Sequence, residues 1–313
     1  MYGLRTLLPL VLLAVPAVGC SALGGEPSGT DDGELNVATS VYPLAFVAER
    51  VGAPHADVIS LTQPGVEPHD LELTPRQVAD ISDADVVLYL QGFQPAVDEA
   101  VDQSGQGAVV DATDLFAARA GESSAGSAHE AGSAHDHGSG LADDPHIWLD
   151  PTLLVPVAEA YADAVSAADP GHADGYRRNA DALVADLKAL DSDFTTGLQR
   201  CARREFVTSH AAFGYLAERY DLTMMSIAGL SPDVEPSPQR LAELQDQLSG
   251  SDITTVFSET LGSKEYAETL ADDLGLQTAV LDPVEGLPAG SDDDYFSVMR
   301  RNLAALQQAN DCR

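Results

Sequence analysis

Positive charge is what this sequence has least of. Lys and Arg together number 16 against 50 Asp and Glu, and the formal net charge is −34. Nucleic-acid phosphates attract Lys and Arg, so this balance excludes a nucleic-acid partner. It suits a soluble surface or a protein that handles cations. Cysteine is scarce: Cys20, Cys201 and Cys312 are the full set. There is no HExxH motif, which removes a common signature of zinc hydrolases. What is present is core-forming material. Hydrophobic residues make up 44% of 313 residues, enough for about two ordinary domains and against global disorder.

The N-terminus reads as a targeting segment. Arg5 precedes the apolar run LLPLVLLAVPAVG, which is too short to span a membrane comfortably and matches a signal peptide over 1–19. Its end, AVGC, resembles a bacterial lipobox. That resemblance implies cleavage before Cys20, lipid on its sulfur and an extracytoplasmic chain anchored to the cell membrane. An ordinary signal peptide is the alternative. Residues 20–33 form a polar Gly/Ser/Pro tether with no core-forming pattern. In an exported chain disulfides persist, so Cys201 and Cys312 read most simply as one bridge, with two free thiols as the alternative.

Beyond the tether, short apolar runs alternate with amphipathic ones. LNVATS, ADVISLT, DVVLYLQ and GAVVDAT read as strands, and PLAFVAERVG, TPRQVADISDA and QPAVDEAVDQS as helices between them. Thr74 is placed as an N-cap and Pro75 at the first helical position. A second βα series follows in the C-terminal half: EFVTS, LTMMSIAG, TTVFSE and QTAVLD as strands, each followed by a helix. Between the halves, Leu183, Leu187, Leu190, Phe194 and Leu198 recur at helical spacing. The expected fold class is α/β, with two βα lobes of parallel four-stranded sheets linked by a long rigid helix. The expected boundaries are 34–172 for the N-terminal lobe, 173–200 for the connecting helix and 201–313 for the C-terminal lobe.

Open α/β sheets place ligands outside the carboxyl ends of their strands. Collecting polar residues from those positions gives His69 in SLTQPGVEPHD, His146 in DDPHIWLD, His210 in VTSH, Glu259 in TVFSE and Asp282 in AVLD. Three imidazoles with one or two carboxylates suit Zn²⁺ in tetrahedral geometry. Each residue also has a plainer role: Glu259 as a helix cap, Asp282 before Pro283 as a turn former, a single His as a hydrogen-bonding loop residue.

Four segments, PGVEPHDLELTPRQVADISDADVVLYL, DDPHIWLDP, TSHAAFGYLAERYDL and AVLDP, resemble the signature segments of ZnuA-like metal-binding lipoproteins, the solute-binding components of bacterial zinc and manganese ABC importers. The resemblance covers most of residues 35–310 in order. It implies a metal site at His69, His146, His210 and Asp282, with Glu259 as a possible addition, and a membrane permease as partner. Manganese-type members usually carry Glu where this chain has His210, and nitrogen favours zinc over the oxygen-preferring Mn²⁺. One departure is LQGFQ, where relatives more often read Gly-x-Gly-x-Glu; Gln94 puts an amide at what this reading takes to be the cleft rim.

The function expected is therefore capture of Zn²⁺ outside the cell and its delivery to an ABC permease, without enzymatic activity. A manganese or iron importer subunit and a zinc hydrolase with Glu259 as base are the alternatives. His129, His135 and His137 lie in a Gly/Ser/Ala-rich stretch over 125–139, too poor in apolar residues to fold alone, and read as a weak accessory metal site or as a solvated linker. Trp148 is expected to pack beneath the loop of His146. His55 and His172 are assigned no function.

Overall fold

The computed structural model describes residues 34–115 and 144–313. The signal segment, Cys20, the tether and the loop histidines His129, His135 and His137 lie outside the described residues.

The first sheet is built from β1 (Leu35–Thr39), β2 (Ala56–Ser60), β3 (Val86–Tyr89) and β4 (Ala108–Asp111), in the order β2-β1-β3-β4 and wholly parallel. Helices α1 (Tyr42–Gly52), α2 (Pro75–Asp83) and α3 (Pro95–Ser104) make its crossovers. The start of α2 is set locally. The Thr74 side chain accepts from the Gln77 backbone while the Gln77 side chain reaches back, a reciprocal cap that satisfies two otherwise orphaned donors. The second sheet repeats the plan. β5 (Glu205–Thr208), β6 (Thr223–Ser226), β7 (Thr255–Ser258) and β8 (Gln277–Val280) run parallel in the order β6-β5-β7-β8.

Between them stand α4 (Leu154–Ala168) and α5 (Ala173–Leu198). Helix α5 has 26 residues, roughly 39 Å at 1.5 Å per residue. Its buried stripe, from Tyr176 and Ala180 through Leu183, Leu187, Leu190, Phe194 and Leu198, is the 3–4 spacing read from the sequence. The C-terminal lobe adds α6 (Gly214–Arg219), α7 (Pro238–Leu248), α8 (Glu265–Leu274) and the closing α9 (Tyr295–Ala309). Helix α9 lies against α5, and its end is tied there by a Cys201–Cys312 disulfide. Helix α4 begins at Leu154, after two short 3₁₀ turns over Ile147–Leu149 and Pro151–Leu153. Asp150 caps the second turn by accepting from Thr152 N–H. Among the described residues no helix is long and apolar enough to cross a membrane.

The central strands β1, β3, β5 and β7 are largely buried because both of their faces are covered, as parallel sheets require, whereas the edge strands β4 and β8 are largely exposed. Val37, Val86, Leu88, Phe206 and Phe257 face a single core that runs through both lobes and along α5, whereas Ala38, Val87 and Tyr89 face a smaller cluster under α2 and α3. Val207 and Val256 face the equivalent cluster under α7 and α8.

Candidate metal centre

In each sheet the strand order reverses between its first and third strands, the position at which open α/β sheets hold ligands. His210 follows β5 and Glu259 follows β7, the two strands flanking that point in the C-terminal lobe. His69 comes from the β2–α2 loop and His146 from the segment leading to the first 3₁₀ turn.

The structure brings His69, His146 and His210 together with Glu285. Glu285 Oε1 lies 3.0 Å from His146 Nε2, 3.2 Å from His210 Nε2 and 3.4 Å from His69 Nε2. His146 Nε2 is 3.4 Å from the Nε2 of both His69 and His210. A tetrahedron with bonds near 2.0–2.1 Å, as zinc makes to nitrogen and oxygen, has edges of roughly 3.3–3.4 Å. Five of the six separations lie at or slightly below those edges and all four donor atoms lie within 4.8 Å of one another, a spacing that suits one small cation. His146, His210 and Glu285 are buried, and His69, the most accessible of the four, packs edge-on against Phe93 at 4.7 Å between ring centres.

Asp282, expected as the carboxylate donor, is not in this group. Its Oδ1 accepts the Val284 backbone N–H at 2.8 Å, so its carboxylate is used in shaping the turn that follows β8. Glu285, three residues further along that turn, takes the place the sequence reading assigned to Asp282. Glu259 also has a different part. Its Oε1 lies 2.6 Å from His210 Nδ1 and accepts from the His210 backbone N–H. Asp144, which the sequence reading passed over, treats His146 in the same way, with Oδ1 2.7 Å from Nδ1. A carboxylate accepting from Nδ1–H leaves the lone pair on Nε2 facing the centre, the arrangement that fixes tautomer and ring orientation at metal sites. The signals available in the sequence were the acidic residue two before His146 and the Glu three after Asp282.

The charges are set by competition. Burial works to raise the Glu285 carboxyl, but hydrogen bonds from His146, His210 and His69 outweigh it and hold it well below the usual range. Burial works to lower His210, yet Glu259 and Glu285 outweigh it and push it up to about 10. His146 is raised by Asp144 and Glu285 against the same opposition from burial. Beside them Glu67 is pushed up to about 8 by burial and then by the charges of Glu285 and Asp233. Its Oε2 accepts from the His69 backbone N–H at 3.0 Å.

Gln94 lies beneath the rim and not on it. It is buried and donates from Nε2 to Thr62 Oγ1 and to the Pro68 carbonyl, directly before His69. An amide can donate to that carbonyl where an ionised carboxylate would repel it. Trp148 is buried, its ring packed edge-on against those of Phe93 and His146, which also meet each other, and its Nε1 donates across to the Pro283 carbonyl. His55 and His172 stack on each other with ring centres 3.6 Å apart and take no part in the four-residue group.

The two sheets, the long helix and a closed nitrogen-rich pocket between the lobes define a two-lobed cation-binding protein. The chain belongs to the ZnuA family: residues 37–309 match the family described as zinc-uptake complex component A, periplasmic. It is 36% identical to the high-affinity zinc uptake system protein ZnuA of Bacillus subtilis over 307 residues, covering 95% of this chain and 94% of that protein. It is 35% identical to the zinc-binding lipoprotein AdcA of Streptococcus pneumoniae over 287 residues, covering 90% of this chain but only 56% of AdcA; the chain thus spans about half the length of that relative. The crystal structure of the Zn(II)-bound ZnuA-like domain of the same AdcA superposes with a TM-score of 0.72 at 34% identity, covering 89% of this chain and 100% of that domain.

Proposed function

We propose that this chain captures Zn²⁺ outside the cell and delivers it to the permease of an ABC importer, with His69, His146, His210 and Glu285 as its ligands. The observation that carries the proposal is the near-tetrahedral spacing of three Nε2 atoms and one carboxylate oxygen, with two imidazoles backed by buried carboxylates. Two donors come from each lobe, so the ion ties the lobes together and the loaded form is what the permease reads. The names of the relatives, zinc uptake protein and zinc-binding lipoprotein, support zinc as cargo. A lipid on Cys20 keeps the protein at the membrane surface. The loop over 125–139, with His129, His135 and His137, collects zinc weakly as an accessory site. A hydrolase would need an open coordination position and a free general base. Glu285 supplies a fourth donor and Glu259 is engaged with His210.

The test is metal analysis and competitive titration of the purified protein. One tight zinc equivalent is expected, greatly weakened in His210→Ala because zinc loses one of few ligands. If Mn²⁺ displaces zinc at equal concentration, the manganese reading replaces this one. Wild-type affinity in His210→Ala overturns the ligand set.

A further inference from the structure

Val284, immediately before Glu285, has a backbone φ of +59° and is fully buried. For a β-branched residue this left-handed conformation is a true outlier, since its Cβ crowds the following carbonyl. Such strain persists only where the surroundings over-determine it.

Five hydrogen bonds hold the turn around Val284. Asn302 on α9, itself buried, accepts from the Asp282 backbone N–H at 2.9 Å and donates to the Asp282 carbonyl at 2.6 Å. The Asp282 carboxylate accepts the Val284 N–H. From the other lobe, Trp148 Nε1 donates to the Pro283 carbonyl at 2.7 Å. Beyond Glu285, Gly65 of the N-terminal lobe donates its N–H to the Leu287 carbonyl at 2.8 Å. Glu285 therefore sits on a strained turn, with a hydrogen bond from the opposite lobe on either side of it.

We propose that Asn302 and Trp148 are positioning residues for the ion, holding Val284 in its strained conformation so that Glu285 points at the three imidazoles. This rests on Glu285 being a ligand. With a clamp removed, Val284 relaxes to negative φ and the Glu285 side chain swings out of the cluster. Neither clamp touches the ion. Trp148 adds a link from the His146 loop to the Glu285 turn, so that each lobe's ligand segment helps to fix the other's.

The test is a double-mutant cycle in zinc affinity on the full chain. Asn302→Ala is expected to weaken zinc binding about five- to thirtyfold, the factor that corresponds to the left-handed cost it would no longer hold in check. Made in a Val284→Gly background, where left-handed backbone is free of that cost, the same substitution is expected to lose much less. A purely structural Asn302 would give equal losses in both backgrounds, and that result overturns the proposal, as does an Asn302→Ala protein with unchanged affinity. Co²⁺ bound to Asn302→Ala should show weakened ligand-field bands as a water replaces the carboxylate; unchanged bands count against the proposal. If Asn302→Ala does not fold, Trp148→Phe removes the bond to Pro283 and the same cycle is read from it. Glu285→Ala separates the two layers. Unchanged affinity in that variant refutes the ligand assignment, whereas weakened affinity together with an additive cycle refutes only the positioning role.

Discussion

Glu259→Gln tests whether a residue that never touches the ion sets its affinity. The Glu259 carboxylate meets His210 Nδ1 at 2.6 Å and also accepts from the His210 backbone N–H, and both residues are buried. Glutamine preserves the shape and one acceptor oxygen but not the charge, and a neutral hydrogen bond of this kind is about half as strong. Replacing such partners at metal-ligating histidines costs roughly ten- to a hundredfold in affinity, or about 1.4–2.8 kcal/mol. Competition against a chromogenic chelator measures it, and thermal melting of the zinc-free variant monitors the fold. The pH dependence gives a second check. Glu259 favours a proton on His210 as well as a zinc ion, so its removal also eases proton competition. The variant's deficit is therefore expected to shrink in mildly acidic buffer and to grow in mildly alkaline buffer. Affinity equal to wild type, or a deficit that grows as pH falls, would refute the orienting role.

Four further outcomes are expected. Because His210 is pushed up to about 10 against burial by Glu259 and Glu285, zinc must displace protons; affinity should fall as pH falls, and binding heats should vary with the ionisation enthalpy of the buffer. In the zinc-free chain the same raised value contributes stability that is fully present below the ordinary imidazole range and is lost as pH rises through about 10, which melting at stepped pH detects. Reducing Cys201–Cys312, whose residues are 111 apart in sequence, should cost on the order of 4 kcal/mol, seen as a lower melting temperature, while chelator competition still finds zinc bound. Deleting 125–139 should leave the tight site's affinity nearly unchanged and remove any weaker zinc equivalent, which titration calorimetry distinguishes.

The architecture was legible because its signals are local and periodic. Strand-length apolar runs alternated with amphipathic ones, Thr74 and Pro75 announced a helix start, and the leucine stripe of α5 needed only a count of three and four. The three histidines were picked out because His210 directly follows β5, His69 sits in the loop after β2, and the segments around His69 and His146 resemble the family's signatures. The carboxylate was not. Asp282 and Glu285 both sit in the turn after β8, and which of them faces the imidazoles depends on the left-handed backbone at Val284. Nothing about a valine announces that conformation, because it is imposed from a distance by Asn302 and Trp148. Gln94 was misplaced for a related reason: its partner, the Pro68 carbonyl, is distant in sequence, and an amide beside a loop reads as exposed. Asp144 could have been found, since an acidic residue two positions before a candidate ligand can fold back on it.

The core common to both lobes bears on how the chain comes to be folded. Phe46 on α1, near the beginning, stacks against Tyr295 and meets Phe296 edge-on at the start of α9, near the end. A chain made from its N-terminus onward thus presents the inner face of its first lobe long before the helix that covers it exists. Contacts of such separation close slowly, and in the meantime the apolar face is open to wrong partners. Vectorial, lobe-by-lobe folding is poorly suited to this topology. Completion waits for the last helix, and a chain truncated before α9 should be a target for proteases and not a half-active protein.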